Sequence, residues 1–146
     1  MTPSFDLVPI KVKNGFVVGR VYVRMVRAGI RTYYNIYDYK KKLNVMLNVF
    51  YVNSAIAIAE AHNLDSNNID QLKLMEEDYS KNYIEMTHFR YLYHKTHDVD
   101  KKQVYETRFD DYQQKCIGMR NKIDNFICDP TNKFQCAEVI NKANED

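Results

Sequence analysis

The sequence predicts an α+β protein in which an N-terminal antiparallel meander precedes a helical half built on a long antiparallel helical hairpin. Residues 5–39 alternate apolar and polar side chains between glycine-containing turns, whereas residues 69–127 repeat apolar side chains at steps of three and four. Net charge divides in the same way, since residues 1–45 carry nine Lys or Arg and two Asp, a net of +7, and residues 46–146 carry a net of −5. We expect one continuous domain, with a basic β-meander in 1–42 and the helical half in 43–146.

The meander is predicted from two turn signals. Asn14-Gly15 lies between alternating runs and is a strong hairpin signal, and Ala28-Gly29 is a weaker one. Two-residue turns at both places give three antiparallel strands, in which Val12 pairs with Val17, and one face carries Val8, Val12, Val17, Val21 and Val23.

The opposite face of this predicted meander is basic and rich in tyrosine. It collects Lys11, Lys13, Arg20, Tyr22, Arg24, Tyr33, Asn35 and Tyr37. In this register Arg24 faces Tyr33 and Arg20 faces Tyr37, and such Arg–Tyr pairs are favourable across strands in their own right.

Residues 40–63 allow two interpretations. Helical spacing connects Leu43, Met46, Leu47, Phe50, Ser54 and Ile58, whereas strict alternation connects Leu43, Val45, Leu47, Val49 and Tyr51. The first predicts one mostly buried helix, which we favour because no turn residue separates Tyr39 from Leu43. The second predicts a fourth strand followed by a short helix over Ala55–His62, capped by Asn53 or Ser54.

Two long helices are predicted over Ile69–His94 and Lys101–Ile127, joined at Thr96–Asp100. The second carries a sustained seam of the type that packs helices side by side, at Tyr105, Phe109, Tyr112, Cys116, Met119, Ile123 and Phe126. The first carries a looser stripe, at Leu72, Met75, Tyr79, Tyr83, Met86, Phe89 and Tyr93. A short joint between two such stripes indicates an antiparallel hairpin. Pro130 ends the second helix, and Thr131 is the expected cap of a last helix over Asn132–Ala143.

Cysteine usage and hydropathy indicate a cytoplasmic or otherwise intracellular, reducing location. The three cysteines are odd in number and lack C-x-x-C spacing, so a disulfide framework is not expected. Residues 1–10 contain Asp6 and two prolines and do not resemble a signal peptide, and Leu43–Ala61 is too interrupted by polar residues to predict a membrane span.

No motif identifies a reaction, so we expect neither an enzyme nor a cofactor. His88, His94 and His97 lie close together in sequence, and Glu85 and His88 form one E-x-x-H fragment, but bundle metal sites need a second copy on another helix. Surface histidines at a helix end are the simpler interpretation, and no metal site is predicted. Phosphate-loop spacings are absent, and Cys116 falls on the seam as a core residue.

The basic, Tyr-rich sheet face predicts a non-enzymatic nucleic-acid-binding or regulatory protein. Lys and Arg neutralise phosphates and Tyr stacks on bases, so a β-platform that presents both suits DNA or RNA with weak sequence specificity. The same face suits an acidic protein surface, and it is also compatible with a merely solvated face or one covered by the chain's own acidic helices. The predicted nucleic-acid contacts are Lys11, Lys13, Arg20, Tyr22, Arg24, Arg31, Tyr33, Tyr37, Lys40, Lys41 and Lys42.

An alternative function uses the same charge division differently. The helical hairpin has a second side that must pack on something, and a homo-oligomer formed through the helices would satisfy it. The chain would then be a structural or assembly subunit of a larger complex, for which richness in Asn, Lys, Tyr and Ile, typical of AT-rich viral and phage genomes, is a compositional hint. Membrane partners are not expected.

Overall fold

A computed structural model describes residues 7–140 and confirms the α+β class, with a β-meander followed by a helical hairpin. The sheet has five antiparallel strands in sequence order rather than three or four. The strands are β1 (Ile10–Val12), β2 (Gly15–Val18), β3 (Val21–Ala28), β4 (Arg31–Asp38) and β5 (Leu43–Val49). The helices are α1 (Val52–Asn63), α2 (Asn68–Lys95) and α3 (Val99–Cys128), followed by a short 3₁₀ turn at Pro130–Asn132.

The predicted continuous second strand is wrong, because the chain reverses at Gly19-Arg20. Val18 pairs directly with Val21 across this turn. Gly19 has φ +58°, a conformation that glycine adopts without steric cost, and glycine at the first turn position suits a tight hairpin. The extra reversal inverts the first hairpin relative to β3, so that Val17 shares a face with Tyr22 rather than with Val21.

The other two turns are each displaced by one residue from their predicted places. Ile10, not Val12, pairs with Val17 around a Lys13-Asn14 turn. Similarly, Arg24 faces Asn35 rather than Tyr33 around a Gly29-Ile30 turn. Gly29 has φ +63° and occupies the first rather than the second turn position, which is the physical reason for that displacement.

Residues 43–49 form the fifth strand, so the favoured single helix over residues 40–63 is wrong and the alternating pattern is the correct interpretation. This strand lies beyond residue 42, where we expected the meander to end. The turn before it needs no Gly or Pro because the Asp38 carboxylate accepts hydrogen bonds from the N–H groups of Lys40 and Lys41, at 2.9 and 3.0 Å. Two register shifts interrupt the pairing of β5 with β4, and Asn48 there has φ +58°.

Helix α1 is the central layer of the molecule. It packs on β2 to β5 on one side and on α2 and α3 on the other. Every residue from Asn53 to Ala61 is buried, and the small side chains of Ala55, Ala57, Ala59 and Ala61 allow close approach on both sides. The core therefore lies between the inner face of the sheet, which carries Val18, Val21, Val23, Ile36 and Val49, and the base of the helical hairpin.

Helices α2 and α3 confirm the predicted hairpin and its facing stripes. They have 28 and 30 residues, about 42 and 45 Å, and the rings of Phe89 and Tyr112 stack between them with centroids 5.8 Å apart. Fully buried residues of the stripes lie only near α1, and none of residues 80–115 is fully buried. Those residues form a two-helix arm. Within residues 7–140, no helix has the length and hydropathy needed to cross a membrane.

The last described residues after α3 fold back onto α1, where the Glu60 carboxylate accepts from the N–H groups of Gln135 and Cys136. Asp129, rather than Thr131, supplies the cap at the 3₁₀ turn, because its carboxylate accepts from the Thr131 N–H at 2.9 Å. Helical backbone then begins at residue 137, and the predicted end of that helix at Ala143 lies outside the described residues. Asp6 and the start of the predicted first strand at residue 5 also lie outside them.

Candidate binding site on the outer face of the sheet

The outer face of the sheet is the one turned away from α1, and the strand register arranges its side chains in rows. One row runs across four strands as Val17, Tyr22, Tyr37 and Asn44. The next row places Gly15, Arg24 and Asn35 side by side, and Val26 and Tyr33 follow. Alternate residues of a strand lie about 7 Å apart and neighbouring strands about 4.8 Å apart. The distances between aromatic rings and polar groups on this face are therefore comparable with the size of a nucleotide base.

A depression of about 220 Å³ lies in this face. Its lining consists of Tyr22, Arg24, Asn35, Tyr37, Tyr39 and Asn44. All six belong to the strands or to the β4–β5 turn, so within residues 7–140 no helix contributes to it. The volume is smaller than the roughly 300–1,000 Å³ of pockets that enclose whole small molecules, and it suits one planar group of a longer ligand.

Three tyrosines form one wall of the depression. The ring of Tyr39 meets that of Tyr37 edge to face at 5.3 Å and that of Tyr22 in a tilted contact at 5.9 Å. Tyr39 is 58% exposed, so the cluster is accessible from solvent. Tyrosine combines a large apolar ring with a polar hydroxyl, which makes such a cluster a suitable platform for stacking.

The polar wall of the depression is rich in hydrogen-bond donors. The side chain of Arg24 is exposed and makes no hydrogen bond or ion pair with any other described residue. Asn35 lies directly opposite it on β4, and its Oδ1 already accepts the N–H of Asn48 at 3.0 Å. The amide nitrogen of Asn35 therefore remains to donate to a ligand beside the guanidinium of Arg24.

A buried carboxylate holds the turn that carries Tyr39. Besides the two turn N–H groups, Asp38 accepts from Nε of Arg20 at 3.0 Å and lies 2.7 Å from Nε2 of His62 on α1. Burial of Asp38 would raise its pKa, but the hydrogen bonds from Lys41, Arg20 and His62 outweigh burial and hold the pKa of Asp38 well below its usual range. The turn is thereby tied both to the β2–β3 turn and to the core helix.

The structure brings together only part of the predicted site. Tyr22, Arg24 and Tyr37 line the depression, and Tyr33 lies further along the same face, where its ring contacts Phe50 with centroids 6.3 Å apart. Arg31 lies at the far end of that face and donates to the hydroxyl of Thr87 on α2 at 3.3 Å.

Besides Lys41, which is described below, five predicted contacts lie off this face or at its margin. Arg20 was predicted to face Tyr37, but it occupies the β2–β3 turn and its guanidinium pairs with Asp38. Lys11 lies on the inner face because it pairs with Phe16, although at the exposed edge strand. The other three are in turns: Lys13 in the β1–β2 turn, and Lys40 and Lys42 in the β4–β5 turn.

Lys41 also lies in the β4–β5 turn, and its Nζ is 3.7 Å from a carboxylate oxygen of Asp65. Sequence reasoning missed Tyr39 and Asn44 as parts of the depression. The available signal for Tyr39 was its position two residues after Tyr37, which places both side chains on one face where the extended chain continues.

The remaining buried polar clusters connect helices. The hydroxyl of Tyr51 donates to the Asp124 carboxylate at 2.6 Å and accepts from the Asn53 amide at 2.7 Å; burial and this carboxylate raise the pKa of Tyr51. Glu76 accepts from the N–H of Phe50 at 2.7 Å, and burial raises its pKa. These contacts fasten the start of α1 to α2 and α3.

Groups with potential reactivity are not assembled into a site among residues 7–140. No three His, Cys, Asp or Glu side chains there are placed to hold a metal ion, so His88, His94 and His97 do not form one with neighbouring acids. Burial raises the pKa of the Cys116 thiol to about 11, which keeps this cysteine in its protonated, unreactive form near neutral pH.

Comparison of the chain with protein-family models, curated proteins and solved structures gave no significant match.

Proposed function

We propose that the protein binds single-stranded nucleic acid on the outer face of its sheet. The single observation that supports this most is the open depression in which Tyr22, Tyr37 and Tyr39 stand beside Arg24. Aromatic rings next to a cation provide base stacking and phosphate neutralisation at one place. In a duplex the faces of the bases are already stacked on one another, so rings on a protein surface favour unpaired strands.

The surrounding charge fits a polyanion. Lys13 is exposed in the β1–β2 turn and Lys42 in the β4–β5 turn, so they lie toward opposite edges of the sheet. The sheet-forming part of the chain is strongly basic. Phosphate contacts made by such side chains release counterions, so binding weakens steeply as salt rises. Within residues 7–140 the acidic helices do not line the depression, so the depression is open to an external ligand although α2 contacts the far end of the face at Arg31.

The test is a titration of labelled single-stranded and duplex RNA and DNA, followed by fluorescence anisotropy at about 50 and about 200 mM salt. We expect tighter binding of single strands and weaker binding at the higher salt. Tyr39→Ala should weaken binding by about 1–3 kcal/mol, the usual contribution of one base–aromatic stack. Tyr91→Ala is the matched control, because Tyr91 on α2 is 57% exposed against 58% for Tyr39.

A second matched pair separates the two faces of one strand. Arg24 and Arg27 are both exposed on β3, but strand alternation places Arg27 on the opposite face. Arg24→Ala should weaken binding and reduce the salt slope by about one, whereas Arg27→Ala should change both less. Equal effects of the two substitutions, or no binding at the lower salt, would contradict the proposal.

The two-helix arm supports a second candidate, an assembly subunit that self-associates through its helices. Within the described part of the chain, the aromatic rings of residues 88–115 contact other rings only inside the hairpin, and Val99 and Val104 remain 79% and 55% exposed. Light scattering over a range of concentrations tests this candidate. If it is correct, Val99→Asp with Val104→Asp dissociates the oligomer, and Ile30→Asp, at an 86%-exposed position in the β3–β4 turn, does not.

A further inference from the structure

Arg24 and Asn35 present free donors to the depression, whereas Asn44 and the tyrosine hydroxyls in its lining can both donate and accept. The guanidinium of Arg24 can only donate hydrogen bonds, and the one carbonyl oxygen of the neighbouring Asn35 side chain is already engaged by the Asn48 N–H. Arg24 and Asn35 are directly paired across β3 and β4, so their donors project from adjacent positions. A ligand group placed between them meets donors from both sides.

Donors of this kind distinguish the bases by their exocyclic groups. Uracil and thymine present a carbonyl oxygen at the ring position where cytosine presents an amino group, and guanine also presents a carbonyl oxygen. At that ring position, position 4 of the pyrimidine, a carbonyl satisfies the donors of Arg24 and Asn35, whereas an amino group opposes donor to donor and leaves both unpaired. Cytosine could meet these donors only by turning its O2 and N3 acceptors toward them. The tyrosine rings contribute no such discrimination, because stacking on them is tolerant of base identity.

We infer that the Arg24–Asn35 pair recognises the O4 keto group of an unpaired uracil or thymine, so that the depression prefers these bases to cytosine. The inference rests on the proposed nucleic-acid function and adds to it the chemical class of base. Uracil and cytosine are the best probes, since they have the same ring size and differ at the exocyclic group. If the protein also binds oligothymidine more tightly than oligodeoxycytidine, the same recognition applies to DNA.

The experiment measures the ratio of affinities for oligouridine and oligocytidine of about 12 nucleotides, with the corresponding DNA pair in parallel. We expect oligouridine to bind wild-type protein about 5-fold or more tightly than oligocytidine, the discrimination typical of one well-placed set of base contacts. Taking the ratio removes effects common to both strands, such as phosphate contacts and stacking.

Two variants test the assignment of the residues. Asn35→Asp keeps an oxygen for the Asn48 N–H but replaces the donor by an acceptor, so the ratio should fall to about one or invert in favour of cytosine. Arg24→Lys keeps the charge on an exposed side chain and removes the forked geometry, and it should also lower the ratio. Asn121→Asp, which introduces the same charge on the exposed surface of α3, should leave the ratio unchanged.

The outcomes are distinguishable. Equal binding of oligouridine and oligocytidine by the wild-type protein overturns the inference and leaves the proposed function in place, with Arg24 and Asn35 contacting phosphate. A preference that survives both Asn35→Asp and Arg24→Lys also overturns it. Absence of binding to every oligonucleotide overturns the proposed function, and the inference with it.

Discussion

Replacing Asp38 by Asn should destabilise the protein more than any other isosteric substitution on the sheet. The carboxylate is fully buried and accepts from two backbone N–H groups and from Arg20, with His62 at 2.7 Å. An amide at this position still accepts the turn N–H groups through its oxygen. Its NH₂ group, however, then faces the N–H of Arg20 and the ring nitrogen of His62.

The magnitude follows from the loss of one buried, charge-assisted pair. Breaking such a pair costs about 3–5 kcal/mol, because the remaining charge is left uncompensated, and the partial exposure of Arg20 places the loss toward the lower end. A domain of this size has a total stability of about 5–15 kcal/mol, so the substitution should be measurable by urea denaturation as a large fall in the midpoint. Asp65→Asn, at an exposed carboxylate 3.7 Å from Lys41, is the control and should change the midpoint little.

The effect should depend on pH in a defined direction. The folded-state pKa of Asp38 lies below its ordinary value of 3.8, so ionised Asp38 stabilises the fold above about pH 4. As pH falls below 3.8, the unfolded chain takes up this proton first, and the stabilisation is progressively lost. The difference in unfolding free energy between wild type and Asp38→Asn should therefore be constant near pH 5 and shrink toward pH 2. A difference under about 1 kcal/mol at pH 5, or one that grows on acidification, would refute the reasoning.

Three further predictions concern Asn63 and Glu60 on α1 and Cys116 on α3. Asn63→Ala should lower the free energy of unfolding, measured by chemical denaturation, by about 1–3 kcal/mol. The reason is that the Asn63 amide donates to the Val18 carbonyl at 2.7 Å and accepts from the Arg20 N–H at 3.1 Å. An unchanged midpoint would show that the β2–β3 turn does not need this contact. Glu60→Gln should increase amide hydrogen exchange at Gln135 and Cys136, whose N–H groups the buried carboxylate accepts, and exchange at wild-type rates would contradict this. Cys116 should be alkylated at pH 8 far more slowly than a free thiol, since its pKa is raised to about 11, and rapid native-state modification would show the thiol to be exposed.

Much of the helical half was predictable because its pattern is local. The seam of α3 and the stripe of α2 each repeat over about six turns, and a sustained period of this length identifies both the helices and their facing sides. The predicted ends agree with the observed ones to within two residues. No distant contact was needed to interpret these segments.

The sheet was harder, because its turns are decided by residues that are distant in sequence. Asn63 on α1 holds the Gly19-Arg20 turn, and Asp38, itself fixed by Arg20 and His62, replaces the glycine that the β4–β5 turn lacks. Neither interaction can be seen in the local pattern. Without them, β2 and β3 looked like one strand, and the chain after Tyr39 looked like a helix.

The sequence by itself determined the α+β class, the helical hairpin and the placement of Tyr22, Arg24 and Tyr37 on one sheet face, because alternation and helical periodicity are properties of neighbouring residues. Only the tertiary structure decided that Arg20 is paired with Asp38 in a turn while Tyr39 and Asn44 join the depression. The physical reason is that hydrogen bonds between remote segments select the turns, and one displaced turn changes which side chains meet across the strands.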